Sequence, residues 1–224
     1  MAAFDLPRRL AAEFIGAAML VATVVGSGVM ATNLTRDIGL QLLGNTLPTG
    51  AILVVLITIF GPISGAHFNP AVSLVFMARG DLSRRDAALY TMAQVAGGLA
   101  GTLIAHVMFD LPVLQLSAKV RTGGPQWFAE GVATFGLVMT ILAGLRFQKT
   151  AIPWLVGLYI MAAYWFTAST SFANPAVAIA RSLTDTFSGI RPVDLPAFIV
   201  AQLAGAAVAM ACCRWLLAPS EPAR

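Results

Sequence analysis

Residues 66–72, Ala-His-Phe-Asn-Pro-Ala-Val, and residues 171–177, Ser-Phe-Ala-Asn-Pro-Ala-Val, decide the fold. In each, an Asn precedes a Pro and an apolar run. Asn is a strong helix N-cap, and Pro fits the first helical position, where its missing N–H removes nothing. Segments 64–79 and 170–182 therefore each read as an entry loop followed by a helix that starts at the Asn. They are too apolar for exposed loops and too short to cross a bilayer: Asn69 to Arg79 spans ~15 Å at ~1.5 Å per residue, half of a ~30 Å hydrocarbon layer. One Asn-Pro-Ala is an ordinary helix start. Two copies between apolar spans are a far more specific signal.

Outward from these motifs, apolar stretches of spanning length run over 10–31, 40–60, 87–108, 127–145, 152–169 and 195–217. Of the 224 residues, 58% are hydrophobic and 11% charged, a composition that one soluble core could not bury. Residues 1–9 are short and end in Arg8 and Arg9, and the long apolar stretch behind them reads as a retained first span rather than a signal peptide. Six spans put both termini on one side. That side would hold Arg8, Arg9, Arg79, Arg84, Arg85, Arg146, Lys149, Arg214 and Arg224, against Arg36, Lys119, Arg121, Arg181 and Arg191 opposite, so the termini are predicted to be cytoplasmic.

The chain repeats itself. Glu13 in Ala-Glu-Phe-Ile-Gly matches Glu130 in Ala-Glu-Gly-Val-Ala, Asn69-Pro70-Ala71 matches Asn174-Pro175-Ala176, and Gln94 in Ala-Gln-Val-Ala-Gly matches Gln202 in Ala-Gln-Leu-Ala-Gly, with offsets of 117, 105 and 108 residues. Three spans per half force opposite orientations. The expected fold is an all-α membrane protein, six transmembrane helices plus two half-helices in an inverted repeat: a single channel domain over 1–224, with halves at about 8–112 and 125–218.

Non-helical backbone is tolerated at mid-membrane depth only inside protein or beside a water-filled cavity. Gly65, Ala66 and His67, and Ser171, Phe172 and Ala173, are thus expected to line a pore with carbonyl acceptors, and Asn69 and Asn174 to place amide donors at its centre. Helix N-termini meeting there would disfavour cations. Glu13 and Glu130 lie inside spans, where an ionisable group needs a partner. Each reads as an anchor accepting N–H groups of a half-helix loop, a proton relay being the other reading. Gln94 and Gln202 read as further anchors. His67 is expected to line the pore; His106 has no motif around it. Cys212 and Cys213 are adjacent, without metal-ligand spacing, and read as lipid-facing or packing residues. The net charge of +4 comes from scattered residues that form no patch interleaved with aromatics, which sets nucleic acid aside.

The duplicated Asn-Pro-Ala, the Ser64-Gly65-Ala66-His67 run and the paired Glu and Ala-Gln elements together resemble the aquaporin or major intrinsic protein family over essentially the whole chain. The resemblance implies a right-handed bundle with a pore in each subunit, a homotetramer in the membrane, small neutral solutes and water as partners, no cofactor and no metal. Half-helix electrostatics is the established explanation of cation exclusion in that family.

The chain departs from the family where most members carry an arginine after the second Asn-Pro-Ala. Val177 stands there, so the constriction is expected to be wider, less polar and less hostile to large or partly anionic solutes. Matching to the family puts Thr49 at a second filter position, often a large aromatic in glycerol channels, and Ser171 at the loop position. The fifth-span position falls on Tyr164 counting along the helix and on Ala162 counting back from the motif. Arg181, four residues beyond Val177, would share its helix face and supply a displaced positive charge at the outer mouth; pairing with Asp185, or a place at the aqueous rim, is the alternative.

Thr49 and Val177, with Thr184-Asp185-Thr186-Phe187, are similar to a bacterial aquaglyceroporin branch linked to arsenic resistance. That implies glycerol-like polyols or metalloid hydroxides such as arsenite, with methylated arsenicals, in a bacterial inner membrane. A strict water channel and a proton-coupled secondary transporter are the competing readings. An intramembrane enzyme lacks a nucleophile–base pair or a metal-ligand cluster in the spans.

Overall fold

A computed structural model describes residues 4–218, so Arg224 and the outermost ends of the 1–224 domain lie outside the described residues. The described residues form helices α1 (Leu6–Leu34), α2 (Ile38–Ser64), α3 (Pro70–Arg79), α4 (Arg84–Met108), α5 (Gly124–Phe147), α6 (Ile152–Phe166), α7 (Pro175–Arg181) and α8 (Leu195–Leu216), and no strand. The helix starts follow capping chemistry: the side chains of Asp5, Asp37 and Ser83 accept the amides of Arg8, Leu40 and Asp86, and each half-helix opens Asn-Pro.

Among the described residues, five helices are long and apolar enough to cross a membrane. The fifth expected span is shorter than 152–169: α6 has 15 residues and stops at Phe166, where Thr167 turns to extended backbone. At ~1.5 Å per residue α6 covers ~22 Å, and the 3₁₀ turn Lys149–Ala151 that leads into it supplies most of the missing depth. Conversely α1 and α2 begin and end beyond the apolar stretches 10–31 and 40–60, because the caps Asp5 and Asp37 sit in polar flanks.

The packing follows the repeat. α1 packs most extensively on α4, and α5 does so on α8. Gly97 on α4 and Gly205 on α8 make both crossings close: a Cβ at Gly97 would overlap the Phe14 carbonyl oxygen, and one at Gly205 the Gly131 carbonyl oxygen. The half-helices knit the halves together, α3 touching α5 and α8 as well as α4, and α7 touching α1 and α4 as well as α8. Ile15, Met19, Val55, Ile59, Trp154 and Val200 stay exposed, as a lipid-facing surface requires. Cys213 packs among Val138, Leu142 and Ala206, while Cys212 is half-buried.

Candidate functional site

The loops entering the half-helices are near-copies. Positive φ occurs at Gly65, Ala66 and Phe68 in the first and at Thr170, Ser171 and Ala173 in the second, a left-handed backbone that is uncommon for residues other than glycine. Such strain needs outside support, and two buried carboxylates supply it. Glu13 accepts the amides of His67 (2.9 Å) and Phe68 (2.7 Å), the Ser64 hydroxyl (2.6 Å) and Gln94 Nε2 (2.7 Å). Glu130 accepts the amides of Phe172 and Ala173 (both 2.9 Å) and Gln202 Nε2 (2.6 Å). Ser64 and Ser169 hydroxyls receive the amides of Ala66 and Ser171.

The two loops meet through their asparagines. Asn69 Nδ2 donates to the Ala173 carbonyl at 2.7 Å and Asn174 Nδ2 to the Phe68 carbonyl at 2.8 Å, while their Oδ1 atoms cap α3 and α7 through Ala71, and through Ala176 and Val177. One N–H of each amide is therefore committed to the opposite loop, and both asparagines also line the cavity described next. The carbonyls of Gly65, Ala66 and His67, and of Ser171 and Phe172, accept no backbone hydrogen bond among the described residues.

A cavity of about 620 Å³ runs along these loops, from Lys149 and Thr150 at one end to Val177 and Arg181 at the other. The structure brings the four candidate filter residues Thr49, Tyr164, Ser171 and Val177 to its wall. Tyr164 donates to Thr49 Oγ1 at 3.4 Å, whereas Ala162 is exposed on the outer face of α6. His67 also lines the cavity, with Nδ1 3.1 Å from the Ser73 hydroxyl. His106 lies away from it, fully buried between the Val113 carbonyl and Thr184 Oγ1, each at 2.8 Å.

Arg181 neither pairs with Asp185 nor sits at the aqueous rim. It is 1% exposed, its Nε donates to the Ser188 carbonyl and its guanidinium carbon lies 3.4 Å from the centre of the Phe172 ring, while Asp185 Oδ1 instead receives the Ala118 amide. Sequence reasoning missed a second arginine. Arg121, in the loop between α4 and α5, folds in to donate to the Gly189 and Ser169 carbonyls and lies 4.9 Å from the Phe172 centroid. Burial pulls its guanidinium down to about 10, with Glu130 and Tyr164 opposing, so it stays charged at neutral pH. Nothing local in the sequence marks Arg121; its role appears only once the loop is folded.

The Major intrinsic protein family matches over residues 1–150, a stretch that includes the first Asn-Pro-Ala and ends before the second. The chain belongs to the major intrinsic protein family. It is a multi-pass membrane channel, not an enzyme. This major intrinsic protein is 68% identical over 222 residues to the aquaglyceroporin AqpS of Rhizobium meliloti (strain 1021), covering 99% of this chain and 95% of the relative. It is 31% identical over 187 residues to a probable TIP-type aquaporin of Medicago truncatula, covering 75% of this chain and 71% of that one. In fold it matches the X-ray structure of the aquaglyceroporin from Plasmodium falciparum with a TM-score of 0.74 at 19% identity, over 95% of this chain and 97% of that one.

Proposed function

We propose that this major intrinsic protein is a passive pore for small uncharged solutes with a widened selectivity filter. Its solutes are glycerol-like polyols and undissociated metalloid hydroxides such as arsenous acid, methylated arsenicals among them, together with water. The observation that carries the reading is Val177 at the cavity wall beside Thr49, Tyr164 and Ser171, where a guanidinium fork would otherwise narrow the passage. The aquaglyceroporin relative at 68% identity supports the polyol class. Thr49, Tyr164 and Ser171 keep three hydroxyls at this level, suited to a solute that both donates and accepts hydrogen bonds. The unbonded loop carbonyls continue that path towards Lys149.

The functional unit is a single channel domain with inverted halves at about 8–112 and 125–218, both termini cytoplasmic in a bacterial inner membrane, assembled as a homotetramer with one pore per subunit. Glu13 and Glu130 act as anchors rather than proton carriers, since each already accepts several donors. The test is solute entry into proteoliposomes under an imposed pH gradient. Strictly downhill, barely saturable glycerol and arsenous acid flux is expected. Uphill accumulation driven by the gradient would overturn the passive pore in favour of a proton-coupled transporter.

A further inference from the structure

We propose that Arg79, Arg146 and Arg214 form a binding site for one anionic phospholipid where α3, α5 and α8 end, the phosphodiester lying among the guanidiniums and the glycerol and acyl chains on the apolar wall beside them. The site depends on the chain spanning a membrane and not on the pore reading. The three arginines line one hollow of about 350 Å³, whose other walls include Leu142, Leu145, Met210 and Leu217. It shares only Leu145 with the pore cavity. All three arginines are exposed. Arg214 Nη2 donates to the Ala78 carbonyl at 3.3 Å, which brings it beside Arg79, the next residue in the chain. Phe147, Trp215 and Leu216, each next in sequence to a lining residue, stay exposed, as side chains at the boundary between hydrocarbon and water do.

The alternative is that each arginine only offsets the partial negative charge at the end of its own helix, since each stands in a last turn. That accounts for one cation per helix. It does not account for three of them gathered around one hollow, where like charges repel and the described lining holds no Asp or Glu. Arg79 gives its Nε to Asp81 at 2.7 Å, and Asp81 lies outside the lining. Among the described residues Arg146 and Arg214 pair with no carboxylate. An anion in the hollow supplies the missing counter-charge, as phosphate headgroups do in basic pockets between membrane helices. A free phosphate would answer the charge but leave the leucines and Met210 against water. A phospholipid answers both, and one whose headgroup carries no cation of its own leaves the phosphate charge to the arginines.

The experiment titrates the full-length protein in detergent with dioleoylphosphatidylglycerol, dioleoylphosphatidylcholine or inorganic phosphate and follows Tm. At about a hundredfold excess over its Kd, phosphatidylglycerol should raise Tm by about 5–10 °C for a chain of this size, with little shift from the other two. At about 1 kcal/mol per arginine, Arg146→Gln/Arg214→Gln should bind phosphatidylglycerol roughly thirtyfold more weakly and lose about two-thirds of the shift. Arg84→Gln/Arg85→Gln removes the same charge from exposed positions outside the hollow and should keep the shift. Should the Arg146/Arg214 variant not fold, retention of phosphatidylglycerol by Arg146→Gln alone, read by native mass spectrometry, decides, with about a fivefold loss of affinity expected. Equal shifts from both lipids, the same shift from inorganic phosphate alone, a shift kept when the lining arginines are replaced, or an equal loss in the Arg84/Arg85 variant would overturn the site.

Discussion

Replacing Glu130 tests how the second pore loop is held. The carboxylate is fully buried and accepts three donors: the Phe172 amide on Oε1, and the Ala173 amide and Gln202 Nε2 on Oε2. Glu130→Ala strands two backbone N–H groups and one side-chain amide in a site that they cannot leave, at roughly 1–3 kcal/mol each. The sum, about 3–9 kcal/mol, is comparable with the ~5–15 kcal/mol that holds a typical domain folded. Glu130→Gln keeps one acceptor oxygen and turns an NH₂ towards the remaining donors, so about half the loss is expected. At about 2–4 °C per kcal/mol for a chain of this size, the alanine variant should melt at least about 6 °C below native, with the glutamine variant between them. Tryptophan fluorescence on heating in detergent reads this, and solute flux should fall in the same order because Ser171 and Phe172 ride on the loop. An alanine variant that melts with the native protein and keeps its flux would refute the anchoring argument.

Asn174→Ala removes a helix cap and the bond to the Phe68 carbonyl, worth together about 1–3.5 kcal/mol, so Tm and flux should both drop, with Asn69→Ala giving a similar loss. Gly205→Ala sets a Cβ onto the Gly131 carbonyl across the α5–α8 crossing and should cost about 1–3 kcal/mol, whereas Gly61→Ala, which meets nothing, should melt like native in the same scan. Burial, with Arg121 and Arg181 nearby, holds the Lys119 ammonium down to about 8 from 10.5. Between those values the unfolded chain binds more protons than the folded one, so native stability should rise with pH from about 8 to 10.5 relative to Lys119→Met; parallel Tm curves for the two proteins would contradict this.

Much of this architecture was legible because the chain states it twice. Asn-Pro at 69–70 and 174–175 marks two helix starts by local capping chemistry, and a carboxylate inside a span must find donors, so the buried Glu13 and Glu130 and their loops could be joined from sequence alone. Other features depend on folded geometry. The shortness of α6 was hidden because the apolar composition continues to Ser169 while the backbone turns at Thr167. Counting could not separate Tyr164 from Ala162, which lie two positions apart on α6 and so face different ways, one to the cavity and one outward. Arg181 looked able to pair with Asp185 four residues on, but α7 ends at Arg181 and Asp185 turns to the Ala118 amide. Arg121 lies in an irregular loop whose path no periodicity describes.

On the proposed reading, the missing guanidinium at position 177 sets the width of the pore. Stopped-flow light scattering on proteoliposomes carrying native protein or Val177→Arg, challenged separately with sucrose, glycerol, urea and arsenous acid, tests it directly. Native protein should pass the larger solutes, and that flux should collapse in Val177→Arg while water flux persists. Equal flux of every solute through both proteins, or no flux above empty liposomes, would contradict it.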